Sequence, residues 1–494
     1  MTTRRAFMAG LLATAALPAC AGAPTTSPRP VARPLRGAAK IKAAHTSVPL
    51  RQIIADAGIS GAHSILVADA ATGTVIEGYG PATALPPASV TKAVTALYAL
   101  HNLGPEHRTQ TRLIGTGPVS GGTLQGDLVL AGGGDPHLDT DGLAKLARAL
   151  KARGIRRVSG AFRVYSGALP FADRIDAGQP DHVGYNPAVS GLNLNFNRVY
   201  FEWKRAGQGY STTMDARTKR LRPAVRGIGI DVVRREAPLF TYAKSGGRER
   251  WTVARGALGR GGGRWLPVRD VDAYAGEVFR TLAAAQGVTL PAARATGSLP
   301  GGSVLAAETS ATLSAQVRAM LKFSTNLTAE VVGLQTSVGR GARVGGLRGS
   351  AREMTAWAER AFGARGARFV DHSGLGDASR LSAEQMVTIL SNSGWRGPLP
   401  AVLKDIPLIN SSGKAAPIDG VRVVAKTGTL NFASALAGFI QCPNGKVLAF
   451  AIFSSDLKKR AAIARKDRDR PAGGASWRRR AKRMQQRLLR RWAL

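Results

Sequence analysis

The chain has 494 residues, 44% of them hydrophobic, and a formal net charge of +38. That apolar share excludes a disordered or low-complexity protein, and the length predicts two to four domains. The charge favours anionic partners such as membrane headgroups, acidic wall polymers or nucleic acid, and it is uneven: residues 1–47 carry +7 and residues 458–494 carry +13, leaving +18 for the body.

Residues 1–23 read as an export signal. Arg4 and Arg5 precede Phe7 and an apolar run ending at Ala19, the pattern of a twin-arginine leader. The run covers about twelve residues, on the order of 18 Å of helix, too short for a bilayer core of about 30 Å. Leu17-Pro18-Ala19-Cys20 resembles a lipoprotein processing box, which makes Cys20 a lipidation candidate; the alternative is cleavage near Ala21 or Ala23. A periplasmic or extracytoplasmic protein is expected, membrane-anchored if Cys20 is lipidated, and such a location removes nucleic acid from the partners. Cys442 is the second cysteine of two, so no disulfide is expected. With no HExxH and no CxxC pair, neither a metal nor another cofactor is expected. Residues 24–47 are rich in proline and small residues and read as a linker.

The folded body opens with two β-type runs around an Ala71-Thr72-Gly73 turn, a predicted hairpin. "LPPASVTKAVTALYAL" (85–100) then starts a helix in which Val90, Val94, Leu97 and Leu100 share a face, with Ser89 and Lys92 one turn apart at its entrance. They are either an N-cap and a solvated lysine or a nucleophile and its base. From 108 to 300, short β-rich pieces alternate with glycine-rich turns, with helical patterns near 141–153 and 270–286: one or two inserted domains. Helices are predicted at 311–322, 327–338, 349–362 and 382–393, followed by β runs "VRVVAKTGTL", "SALAGFIQC" and "KVLAFAIFSS". In the tail beyond 457, Trp477, Ala481, Met484, Leu488 and Trp492 form one apolar stripe on an arginine-rich helix, the pattern of an interfacial helix on an anionic membrane; the alternative is a solvated basic extension packing lightly on the body.

A serine nucleophile with a lysine base needs a group to relay the leaving-group proton, a hold on the acyl donor, and donors for the oxyanion. "KFSTNLTAE" offers Ser324 and Asn326, two apart at a turn between helices. "VVAKTGTL" offers Lys426, Thr427, Gly428 and Thr429 on a buried strand, with Gly428 leaving room for a substrate backbone. Each motif alone is weak; the three in this order, each on its expected element, are specific. Asp135 with His137, in a glycine-rich loop, reads as a turn terminator. Asp371 with His372 could suggest a serine triad, but no G-x-S-x-G elbow accompanies it.

S-x-x-K, S-x-N and K-T-G are the set shared by β-lactamases and penicillin-binding proteins. With Ser324 lying 235 positions after Ser89, the chain resembles the D-alanyl-D-alanine carboxypeptidases and endopeptidases of the class C low-molecular-mass penicillin-binding proteins. "LAGGGDPHL", "GLNLNFNRV" and "DHSGLGDASRLS" also look like that family, and the likeness spans roughly residues 50–455 without the tail. It implies an α/β (α+β) transpeptidase-like fold: a central antiparallel sheet with helices, split into 48–107 and 301–456 by a β-rich insert (108–300) and followed by a basic amphipathic tail (457–494). It further implies that Ser89, Lys92, Ser324, Asn326 and Lys426 are catalytic, and that Thr427, Gly428 and Thr429 bind substrate. Peptidoglycan stem peptides would be the substrate and β-lactams acylating inhibitors. Two departures, Tyr165 and Asp377 where the family carries an aspartate and an arginine, put the usual side-chain specificity in question. The alternatives are a β-lactamase and a catalytically weak penicillin-binding scaffold of the cell wall.

Overall fold

Near-continuous buried runs along the last three long strands build the centre of the molecule, since both faces of their sheet are covered. The computed structural model describes residues 48–494 apart from Ser411, so the leader, Cys20 and the linker lie outside the described residues. Six antiparallel strands form one sheet in the order Lys404–Asp405, Arg422–Leu430, Ala433–Gln441, Val447–Ser455, Ala62–Asp69, Val75–Tyr79. The first hairpin therefore pairs with the last long strand, joining opposite ends of the chain.

Period-two alternation sorts the sheet's side chains onto two faces. Leu66, Val424, Ala437, Phe439, Ala451 and Phe453 pack against a layer of helices that includes Thr91–Leu103, Leu313–Phe323, Leu347–Phe362 and Ala383–Ser393. Val67, Val423, Ile440, Phe450 and Ile452 face the other way, onto Leu50–Asp56 and the terminal helix Gly474–Ala493. This is the expected α+β sheet-and-helix architecture.

The second layer corrects the reading of the tail. Trp477, Ala481, Met484, Leu488 and Trp492 are all buried, with Trp492 the most exposed at 6%. The stripe lies on the sheet rather than on a bilayer, because the sheet's second face needs a cover. Trp492 Nε1 donates to Glu77 Oε1 at 2.5 Å, and Arg487 pairs with Asp56 at 3.0 Å. No helix among the described residues is long and apolar enough to cross a membrane.

The region between the two halves has its own core, built on a five-stranded mixed sheet (Ala293–Ala295, Phe162–Tyr165, Leu128–Ala131, Gln110–Gly115, Ser303–Thr309) and three three-stranded sheets. Helices Thr140–Ala152 and Val271–Ala285 contribute to the same core. Ser303–Thr309 pairs with Gln110–Gly115, so this sheet extends past the expected boundary at 300.

Candidate active site

Pro87 and a left-handed Ala88 (φ 47°) lead into a 3-10 turn, Ala88–Val90, that places Ser89 directly before the helix Thr91–Leu103. Lys92 follows in the first turn of that helix and is fully buried. Its Nζ donates to Ser89 Oγ at 3.0 Å, Asn326 Oδ1 at 2.7 Å and the Ser373 carbonyl at 2.6 Å. Ser324 ends the helix Leu313–Phe323 in the left-handed region (φ 58°), and Asn326 begins Asn326–Gly339. Lys426 projects from Arg422–Leu430 on the helix-facing side of the sheet, and its Nζ donates to Ser324 Oγ at 3.0 Å and the Thr427 carbonyl at 2.7 Å. Three distant motifs thus supply two hydrogen-bonded groups, Ser89–Lys92–Asn326 and Lys426–Ser324, and Ser89, Ser324, Asn326 and Thr429 line a cleft of about 570 Å³.

Burial governs the charges. It pulls Lys92 down to about 8, opposed by the carboxylates of Asp371 and Glu330. It pulls Lys426 well below the ordinary lysine range, with Lys92 and Lys404 pushing the same way. Glu330 is raised by burial and by the neighbouring Asp371, and Asp371 by burial. The sequence reading missed Glu330, and it considered Asp371 only for a triad with His372. Glu330 accepts the N–H groups of His372 and Ser373, while Asp371 accepts those of Gly374 and Gly376, so together they fix the carbonyl that receives Lys92. The available signal was helical spacing, since Glu330 lies four residues past Asn326 on the same helix face.

Other residues sit differently from expectation. A Cβ on Gly428 would stand 2.7 Å from the Pro87 carbonyl oxygen and 3.1 Å from Ala88 Cβ, so this glycine lets the strand pack against the turn carrying Ser89 rather than opening room for substrate. Thr427 and Thr429 are both exposed; Thr429 lines the cleft and Thr427 does not. Asn326 Nδ2 donates to the Tyr185 carbonyl at 2.9 Å, a contact from the insert that sequence could not supply. Asp135 accepts the His137 N–H at 2.8 Å, a turn as read. His372 bonds Ser350 Oγ at 2.7 Å in the core and Asp371 bonds backbone, so the pair forms no triad with Ser89. Asp377 lines the cleft 4.0 Å from Arg460, and Arg468 lines it too, so the tail contributes arginines to its wall. Tyr165 packs instead beside Ile114, Val129 and Ala131 in the insert. Cys442 is a buried free thiol.

The profile of the D-Ala-D-Ala carboxypeptidase 3 (S13) family matches residues 46–473. The chain belongs to this family. The match runs past residue 455, into what the sequence reading had set apart as tail, and stops just before the terminal helix. The chain is 29% identical over 467 residues to a D-alanyl-D-alanine carboxypeptidase of Actinomadura sp. (strain R39), covering 84% of this chain and 82% of that relative. It is 23% identical over 424 residues to D-alanyl-D-alanine carboxypeptidase DacB of Haemophilus influenzae, covering 80% and 87%. The crystal structure of penicillin binding protein 4 (dacB) from Haemophilus influenzae superposes with a TM-score of 0.69 at 20% identity, covering 85% of this chain and 98% of that one, a likeness of fold.

Proposed function

We propose that this S13-family protein is a serine-type D-Ala-D-Ala carboxypeptidase, with endopeptidase action on cross-linked stems as a related capability, and that it works outside the cytoplasmic membrane on peptidoglycan stem peptides. The observation that carries the reading is the buried amine of Lys92 at 3.0 Å from Ser89 Oγ and 2.7 Å from Asn326 Oδ1, with Ser324, bonded to Lys426, lining the same cleft. The Actinomadura relative, named a D-alanyl-D-alanine carboxypeptidase, supports the substrate class.

Ser89 attacks the carbonyl between the last two D-alanines, and neutral Lys92 takes its proton. Ser324, held by Lys426, passes a proton to the leaving amine. Asn326 steadies Lys92 through Oδ1 and turns its Nδ2 donor from the Tyr185 carbonyl to the substrate amide. Lys426 supplies positive potential, and Thr427 and Thr429 hold the terminal carboxylate. The N–H groups of Ser89 and Thr429 receive the oxyanion. Water then releases the acyl group, and a β-lactam stops at the acyl stage.

Labelling with fluorescent penicillin, followed by muropeptide digestion read by mass, tests the proposal. The wild type acquires label and removes one alanine from pentapeptide stems; Ser89→Ala does neither. Label retained by Ser89→Ala, or stems left intact by the wild type, would sink it.

A further inference from the structure

Asn195, Phe196 and Asn197, inside the stretch "GLNLNFNRV", occupy the left-handed region in succession, with φ of 51°, 59° and 50°. Residues with a Cβ disfavour that backbone, and three in a row persist only where the surroundings over-determine them. Side-chain amides do so here. Asn197 Oδ1 accepts the Leu194 N–H at 3.0 Å and its Nδ2 donates to the Ala188 carbonyl at 2.9 Å, while Asn195 Nδ2 donates to Thr140 Oγ1 at 2.9 Å. Such strain concentrates at functional sites, and this run borders a pocket of about 540 Å³ in the insert that shares no lining residue with the cleft just described.

Arg198 gives the pocket its chemistry. Its guanidinium lies 5.0 Å from the centroid of the Phe196 ring and 5.2 Å from that of Trp265. Its Nε is buried without a partner, and burial pushes the group below the ordinary arginine range. Among the described residues no carboxylate pairs with it, although a buried charge is normally paired. The neighbouring charges are already engaged: Arg217 with Asp215 and Glu202 at 2.5 and 3.0 Å, Arg220 with Asp141 at 3.2 Å, and Asp139 with the Gly142 N–H as a helix cap. Among these charges Arg198 alone is half-buried and unpartnered, and the exposed Lys219 also lines the pocket.

We propose that this pocket is a second, non-catalytic binding site that takes the C-terminal carboxylate of a short peptide, a wall stem on the reading above. Aromatic rings against the guanidinium leave its N–H groups to bond in its own plane, where a planar carboxylate meets two of them side by side. Leu138, Phe196 and Trp265 supply an apolar wall for a small side chain such as the methyl of alanine. The site touches the catalytic helix. The His137 ring lies 5.6 Å from that of Phe196, and its Nε2 is 3.3 Å from Thr328 Oγ1, two residues beyond Asn326.

The test is calorimetric titration of full-length protein whose Ser89 is already acylated by penicillin, using acetyl-D-alanyl-D-alanine and its C-terminal amide. The acid binds at least tenfold more tightly than the amide, and Arg198→Gln, still acylated at the wild-type rate, loses at least tenfold in affinity for the acid. Equal binding of acid and amide, undiminished binding by Arg198→Gln, or tighter binding of inorganic phosphate than of the acid would each overturn the assignment. The acid–amide contrast uses unaltered protein, so it decides the matter even if Arg198→Gln does not fold. If the wild type never acylates, the catalytic reading fails instead, and the same titration on Ser89→Ala decides this site by itself.

Discussion

At Lys92 two opposing effects set the chemistry of a single amine. Desolvation favours the neutral form that can accept a proton, and the carboxylates of Asp371 and Glu330 favour the charged one, leaving the group near 8. The base form grows as pH rises, so acylation by penicillin should climb about tenfold per pH unit in the acid range and level off above about pH 8. A stopped-flow profile flat down to pH 5 would contradict a lysine base. Asp371→Asn removes the larger of the charges that hold Lys92 up, so the same limb should move to lower pH. Lys92→Met should cost roughly 10²- to 10⁴-fold in acylation rate, the usual range for a general base. The catalytic candidates themselves were legible because S-x-x-K, S-x-N and K-T-G each mark a local structure. Glu330 and the role of Asp371 were not, because a buried carboxylate that works through backbone N–H groups belongs to no short pattern.

Among the elements, the strand Arg422–Leu430 does two jobs, presenting Lys426 and pressing Gly428 against the turn that holds Ser89. In Gly428→Ala the new methyl would meet the backbone oxygen of Pro87, which cannot swing aside as a side chain can. Acylation should therefore fall at least about tenfold while the melting temperature changes little, since the clash is local. Comparing penicillin labelling rates with thermal melts of the variant checks this. Periodicity read most elements well: the predicted helices at 327–338 and 382–393 correspond to Asn326–Gly339 and Ala383–Ser393. It failed for the tail because an apolar stripe on a basic helix has the same spacing whether a membrane or a sheet lies beneath it. The stripe shows that something covers that face without saying what.

Across the whole molecule, the terminal helix belongs to the core. Replacing Trp492 by alanine should cost about 3–5 kcal/mol, as for other large buried aromatics, and should lower the melting temperature by several degrees. Removing residues 474–494 uncovers the face bearing Phe450, Ile440 and Val423 and should yield aggregated protein. The intact protein, by contrast, should not sediment with anionic vesicles through this stripe, because its apolar side is already covered. The insert was legible as β-rich, but its contact with the cleft through the Tyr185 carbonyl depends on how two distant segments meet, which no local pattern encodes.

The strand Ala62–Asp69 hydrogen-bonds to Val447–Ser455. A ribosome therefore finishes the first of these strands long before it begins the second, and the nascent polypeptide must carry an unmated β edge through the translation of more than 370 codons. Assembly of the catalytic half is consequently a late event, paced by the completion of synthesis rather than by the emergence of its first motif.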